Sequence, residues 1–248
     1  VPAELRPVLP NCAEVMDQIH ETNDSCAGPD GIPFAVYRAD CLVGGGIASV
    51  LQRIIKALGE GEKGPESFNQ ARLFLIAKTD SLLIQDTRPI SVTDCANRIV
   101  ASCLASAITP LLQAFLEKSQ KGFCPGRVGT EHVHGLTSQF YGALSKKQQM
   151  FILSLDTARA FDSISHKFIS TLLRHIELPE WTVKIVEGLL HKVSVKAMLA
   201  GEEASAIQIR RGVKQGCPFS PLLFILCFDV LLYRLKRTGL RAYAYADD

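Results

Sequence analysis

Six almost unbroken hydrophobic residues, Met150-Phe-Ile-Leu-Ser-Leu155, lead directly into Asp156. An apolar run of that length, without polar alternation, predicts a strand buried on both faces in the middle of a sheet. Such a strand demands covering layers. A chain of 248 residues, 47% hydrophobic and 21% charged, has the material for a sizeable core and is not of disordered composition.

The flanking patterns say what those layers are. Asn11 is placed to cap a helix through Val15, Met16 and Ile19. Helical spacing returns at Ile47, Val50, Leu51, Ile54, Ile55 and Leu58, and again over a long stretch from Ala96 to Leu112. Further helices are predicted ending near Leu144, around Ile169, Leu172 and Leu173, and from Pro179 onward. Residues 71–77 read as a strand closed by Lys78, followed by a polar loop leading to Arg88-Pro-Ile-Ser91. Residues 193–199 and 207–210 alternate around a Gly201-Glu202 turn and predict a hairpin. Ser220 is expected to cap a helix with Pro221 in its first position and Gly239 at its end. The final residues, Arg241-Ala-Tyr-Ala-Tyr-Ala-Asp-Asp248, alternate as a strand does and stop on two carboxylates. Strands and helices interspersed without regular βα alternation predict an α+β fold.

A net charge of +2 gives no overall basic signature. Contacts to nucleic acid would have to come from local clusters: Lys146-Lys147, Arg210-Arg211 with Lys214, and Lys236-Arg237. Each of these also suits an ordinary solvated face. The eight cysteines show no CxxC spacing and read as free thiols of a reducing compartment. His132 and His134 have no third ligand nearby in the sequence, so they are not read as a metal site. The apolar run 221–232 is too short to span a bilayer and contains Asp229. No signal pattern opens the chain, so the expectation is an intracellular protein, nuclear or cytoplasmic, without a membrane segment. With Val1 in place of an initiator Met, the expectation is that the chain is an excerpt of something longer.

The chemistry concentrates at two predicted strand ends. One carries Asp156, the other Asp247 and Asp248. Taken singly, the first is a loop or capping aspartate and the pair is a solvated terminus. On neighbouring strands the three would converge, repel one another and hold a proton unless a divalent cation neutralised them. Two such ions, about 3.5–4 Å apart, stabilise the attacking and leaving oxygens of phosphoryl transfer. Hard oxygen donors without a His/Cys set point to Mg²⁺ or Mn²⁺, not zinc.

With these residues in order, the chain resembles a reverse transcriptase domain, an RNA-directed DNA polymerase, of the non-LTR (LINE-type) retrotransposon group. Leu155-Asp-Thr-Ala-Arg-Ala-Phe-Asp-Ser163 with His166 is similar to the family's first aspartate motif. Gly212-Val-Lys-Gln-Gly-Cys-Pro-Phe-Ser-Pro-Leu-Leu-Phe224 is similar to its second block, and Tyr245-Ala-Asp-Asp248 to its third. Upstream, Ala27-Gly-Pro-Asp-Gly-Ile-Pro33, Leu75-Ile-Ala-Lys78, Arg88-Pro-Ile-Ser91 and Gln120-Lys-Gly-Phe123 with Gly126-Arg127 resemble the finger blocks, in order.

The resemblance implies the fingers and palm of a right-hand polymerase, with an antiparallel palm sheet backed by helices and no thumb in this chain. The whole of 1–248 would be one truncated domain, with fingers at 1–148 and 167–212 and palm at 149–166 and 213–248. It implies two metal ions, Mg²⁺ or Mn²⁺, on Asp156, Asp247 and Asp248 with the Thr157 carbonyl, and an RNA template, a DNA primer and dNTPs as partners. Lys78 and Arg88 would neutralise the triphosphate, and Gln215 and Gly216 would lie against the nucleotide. Phe161 would be the steric gate, an aromatic ring where a ribose 2′-hydroxyl would have to sit; plain core packing is the other account of it. Phe219 stands where the family more often has Leu, and Arg159 where it more often has Lys. Two alternatives stay open: a catalytically silent transposon-derived remnant with a structural or nucleic-acid-binding role, and a related intron maturase. The chain by itself is expected to be inactive, for want of a grip on primer and template.

Overall fold

The computed structural model describes residues 5–78, 80, 83–157, 159–199 and 202–247. The fold is α+β: a mixed sheet backed by a layer of helices. Helix α1 (Cys12–His20) begins with a full capping box: Asn11 Oδ1 accepts from the Glu14 N–H at 3.0 Å and Glu14 accepts from the Asn11 N–H at 2.8 Å. Helix α2 (Phe34–Leu42) was not among the expected helices, although Phe34, Tyr37 and Cys41 bury one face at helical spacing. Helix α3 (Ile47–Glu60) ends on Gly61 in the left-handed region.

Strand β1 (Gln70–Ala77) follows as expected. It pairs antiparallel with β2 (Thr87–Thr93), from Ala71 opposite Thr93 to Ala77 opposite Thr87. Residues 87–93 were not among the expected strands, and Pro89 within them cannot donate to a ladder. Strand β2 lies at the edge of the sheet, where that missing N–H is tolerated.

Helix α4 (Cys95–Phe115) is the spine. It is long and apolar enough to cross a bilayer, yet it buries Ile99, Val100, Leu104, Ile108, Leu111 and Leu112 in the core against α1 and α3. Arg98, on its first turns, donates to Ser25 Oγ at 2.8 Å and to the Cys26 carbonyl at 2.5 Å, and lies 4.6 Å from the Phe34 ring centre. One buried cation thereby pins the 24–33 loop to the helix.

The chain continues through α5 (Thr130–Ser145), the single turn α6 (Ala160–Ser163), α7 (His166–His175) and α8 (Glu180–Leu190). Strand β3 (Ser194–Leu199) then joins β1 in parallel, while β4 (Glu202–Glu203) and β5 (Ile207–Gln208) fold back on β3, realising the expected hairpin. Two buried asparagines set this geometry. Asn69 donates to the Gly188 and His191 carbonyls at 2.7 and 2.8 Å, and Asn97 donates to the Phe68 carbonyl at 2.8 Å. Helix α9 (Ser220–Arg237) carries Pro221 in its first turn and is followed by Gly239 at φ +80°. Ser220 is its first residue and not its cap; Phe219 holds the cap position, with no side-chain bond.

Two expectations are corrected. Residues 150–155 form no strand, and Phe151 and Leu153 stand 90% and 80% exposed. A strand exists only when a neighbour completes its ladder, and the segment expected to pair there, 241–247, is held elsewhere. That segment makes only an isolated parallel bridge, Ala244 with Gln120. The palm strands are therefore absent among the described residues, and the sheet that does form lies in the region assigned to fingers. Helix α5 shares this openness: it buries none of its residues and exposes Phe140, Tyr141 and Leu144.

The cysteines are free; Cys12 and Cys26 are exposed, five are buried and Cys227 is half-buried. Burial pushes the Cys103 and Cys227 thiols up to about 12, so neither is a nucleophile at neutral pH.

Asp229 on α9 accepts from the Glu117 N–H at 2.8 Å, and burial raises its carboxyl above the ordinary 3.8. A raised folded-state value means that its ionised form costs stability as the pH climbs through that value. Asp229→Asn keeps the acceptor and removes the charge. It should raise the melting temperature at pH 7 by roughly 2 °C, and the gain should vanish on titration to below the unfolded value. Thermal melts at pH 7 and pH 3 check this.

Candidate active site

The second block is zipped to its surroundings by backbone. The Gly212 N–H donates to the Ile164 carbonyl at 2.7 Å, and the Val213 N–H to the Phe161 carbonyl at 2.8 Å. His166 Nε2 holds the Gly212 carbonyl at 2.8 Å. On the far side, the Ser91 N–H of β2 donates to the Gln215 carbonyl at 2.7 Å. This close approach depends on Gly216, at φ +110°: a Cβ there would lie 2.6 Å from the Ser91 carbonyl oxygen. Gln215 and Gly216 are thus laid against the edge strand.

The β1–β2 ladder sets the cationic pair. Arg88 pairs with Ile76, and the Lys78 N–H donates to the Asp86 carbonyl at 2.9 Å. Period-two alternation puts Ile76, Lys78 and Arg88 on one face at the same end of the pair. Both cationic side chains are exposed.

Phe161 sits in a column of rings. It stacks on Phe224 with centroids 4.7 Å apart and meets the edge of Phe123 at 6.2 Å. The ring is half-buried, packed against the core on one side and open to the cavity on the other.

Asp247 is delivered by a clamp that the sequence did not announce. Gln120 is completely buried. Its Nε2 donates to the Ala246 carbonyl at 3.0 Å, and its Oε1 accepts from the Gly122 and Ala246 N–H groups at 2.8 and 2.9 Å. The bonded residue, Ala246, is itself in the left-handed region, at φ 58°. The Lys121 N–H donates to the Ala244 carbonyl, and the Ala244 N–H to the Ser119 carbonyl, both at 2.9 Å. His132 Nε2 lies 2.8 Å from the Ser119 carbonyl and 3.1 Å from that of Ala244, so this histidine is structural. Beneath the clamp, the Arg127 guanidinium donates to the carbonyls of Gln113, Leu116, Glu117 and Gln120, closing the C-terminal end of α4.

These pieces surround one cavity of about 800 Å³. Lys78, Arg88, Asp156, Thr157, Phe161, Gln215, Gly216 and Asp247 all line it. Asp248 lies outside the described residues. Among the described residues no group of three His, Cys, Asp or Glu side chains gathers as a metal site. The carboxylate donors that line the cavity, Asp156, Asp162 and Asp247, suit a hard divalent cation better than zinc.

Lys214 is the residue that sequence reasoning misplaced. Grouped with Arg210 and Arg211 as a surface cluster, it is instead buried, lines the same cavity, and has no hydrogen-bond partner for Nζ among the described residues. Burial pushes its ammonium below the ordinary lysine value. Its flanks, Val213 and Cys217, are the signal that was available: both are apolar and buried.

Residues 76–248 match the family described as reverse transcriptase (RNA-dependent DNA polymerase). The chain belongs to the reverse transcriptase family. Relatives lie among non-LTR retrotransposons. The chain is 31% identical over 178 residues to a Pol polyprotein from the type-1 retrotransposable element R2 of Popillia japonica, covering 70% of this chain and 24% of the relative. It is 30% identical over 233 residues to the polyprotein of the type-2 element R2DM of Drosophila melanogaster, covering 90% and 21%. It is 27% identical over 207 residues to the transposon TX1 149 kDa protein of Xenopus laevis, covering 79% and 16%. This reverse transcriptase domain thus spans under a quarter of the length of these relatives.

Gln120→Ala would orphan two N–H groups and a carbonyl around Ala246. A loss of about 2–4 kcal/mol in stability is expected from such a buried site. Urea denaturation of the variant against the wild type measures it.

Proposed function

We propose that the cavity polymerises deoxynucleotides on an RNA template, extending a primer 3′-hydroxyl. What carries this reading is that eight residues drawn from five separated stretches of sequence line a single cavity of nucleotide size. Asp156 and Asp247, with Asp248 beside them in sequence and the Thr157 carbonyl, would hold two Mg²⁺ or Mn²⁺ ions. Divalent cations bound there supply charge neutralisation of the attacking and leaving oxygens. Lys78, a point charge, and Arg88, a planar fork, take the triphosphate oxygens. Gln215 and Gly216 lie along the nucleotide, held there by the close packing of Gly216 on the Ser91 carbonyl. Phe161 occupies the space of a ribose 2′-hydroxyl; its stack on Phe224 keeps the ring from swinging aside, and it offers that hydroxyl no hydrogen-bond acceptor. The edge sheet and helices α1–α5 correspond to fingers (1–148 and 167–212), and 149–166 with 213–248 to palm. A cavity lined by both charge signs fits nucleic acid and dNTPs as partners.

The test is primer extension by a full-length protein carrying this chain, with an RNA template, a DNA primer and Mg²⁺. Asp156→Asn or Asp247→Asn should lower extension by about 10³-fold or more, since each removes charge that the transferring phosphoryl group depends on. Retained activity would mean that the wrong carboxylate was chosen. Absence of extension in the wild type would favour the silent, nucleic-acid-binding reading.

Phe161→Val tests the gate separately. It should raise NTP use relative to dNTP use by roughly 10–100-fold, the scale of a steric pocket contact, measured as the ratio of the two kcat/KM values. An unchanged ratio would reduce Phe161 to core packing.

A further inference from the structure

A second cavity, of about 670 Å³, is walled by the C-terminal ends of α4 and α9 and by residues 240–243. It shares no lining residue with the first. Its apolar surface comes from Phe115, Leu116, Leu232 and Leu240, of which Phe115 and Leu240 stand 46% and 61% exposed. Helix α9 has the same excess of apolar surface. Its residues 221–233 are apolar apart from Asp229, the pattern of a helix covered on all sides. Leu222, Leu223, Phe224, Ile225 and Leu226 are indeed buried, yet Val230, Leu231 and Tyr233 further along are exposed.

Charge says what would cover this end. Lys118, Lys236 and Arg241 line the cavity against one carboxylate, Glu117. Both Glu117 oxygens lie 2.9 Å from Lys236 Nζ, and Asp229 is occupied by the Glu117 N–H. Lys118 and Arg241 have no ion-pair partner among the described residues. An aliphatic floor with a basic border selects an acidic, amphipathic polypeptide. Three other occupants fit less well. A nucleic-acid strand stacks its bases on free aromatic faces, whereas the Tyr243 ring meets His132 edge-on at 5.2 Å and its hydroxyl is held by Gln139. A bilayer is flat, and this site is concave. A second copy would bring its own exposed helix α5, which ends beside Lys146 and Lys147, so like charges would meet. The walls are helix ends and loops with no strand edge to extend, which leaves a helix laid in a groove as the mode of recognition.

We propose that this cavity docks an amphipathic helix of a partner protein, with leucine-type anchors at i, i+3, i+4 and i+7 and Asp or Glu along their border. The docking site is independent of the polymerase reading, because none of its residues lines the first cavity.

The probe is a fluorescently labelled peptide of about four helical turns, with that leucine spacing bordered by Glu, titrated by anisotropy against a full-length protein carrying this chain. Micromolar binding that weakens as salt rises is expected. Leu240→Asp, and separately Lys118→Glu combined with Arg241→Glu, should each weaken it by about 10-fold or more, the scale of a lost interface anchor. These side chains are exposed, so melting temperatures should stay within about 2 °C of the wild type. The same peptide with Lys in place of Glu should bind about 10-fold more weakly or worse. No peptide binding, or binding that the variants leave unchanged, would overturn the proposal. If the peptide does not bind and the charge-reversed variant instead loses a single-stranded oligonucleotide or phosphatidylserine vesicles, the face belongs to nucleic acid or to a membrane. Dimers seen by sedimentation and dissolved by Leu240→Asp would assign it to a second copy. Peptide binding involves no turnover, so an inactive wild type that still binds would remove the polymerase reading and leave the docking site standing.

Discussion

The backbone of 212–215 is bonded on both sides, and the site is built on that fact. Gly212 and Val213 donate to the carbonyls of Ile164 and Phe161, while the Gln215 carbonyl accepts from Ser91 on the edge strand. One loop thereby ties the sheet to the turn that carries Phe161, and the approach on the strand side is close enough to exclude any side chain at position 216. Hydrogen bonds of this kind contribute modestly to net stability. Left unmade in a buried loop they would be expensive, so the arrangement is specific as well as stable. The loop holds Phe161 on one side and strand β2 on the other, while the β1–β2 ladder sets Lys78 and Arg88 at one end of the sheet.

A second network does for Asp247 what a strand partner would otherwise do. The Gln120 carboxamide satisfies both backbone groups of Ala246, and Arg127 draws four carbonyls of 113–120 onto one guanidinium. The terminal segment is therefore positioned by the Gln120 and His132 side chains and by two backbone bonds to Ser119 and Lys121, with no extended strand pairing. This is also why the apolar run 150–155 has no neighbour and stands exposed. The two observations are one: the segment that would have covered the run is bonded elsewhere.

Charge inside the molecule follows the same division between satisfied and unsatisfied groups. Arg98 is buried and bonded, and it fastens a loop. Asp229 is partly buried and keeps one backbone donor, with Arg127 and Lys236 also favouring its charge, yet burial still dominates and its carboxyl stays raised. Lys214 is buried with no hydrogen-bond partner for its ammonium among the described residues, and of the three it alone belongs to the cavity lining.

Much of the site was legible from residue order. The blocks around Lys78, Arg88, Asp156, Gln215 and Asp247 could be named from sequence, and all five residues line one cavity. Helices α1, α3, α4, α7 and α8 followed from apolar spacing and from caps such as Asn11, because those signals lie within one or two turns of chain. Strand β2 was missed, and it carries Pro89, whose tolerance depends on the strand lying at an edge. The buried state of Lys214 was hidden by its basic neighbours, and Gln120 was recognised only as part of a block. By itself, the sequence determined the α+β class, most of the local helices and the blocks whose residues line the cavity, all properties carried by short stretches of chain. Tertiary structure alone decided which strand has a partner, which cation is buried and what holds Asp247 in place. Each of those depends on groups that meet only after the chain has folded back across 46 to 126 residues.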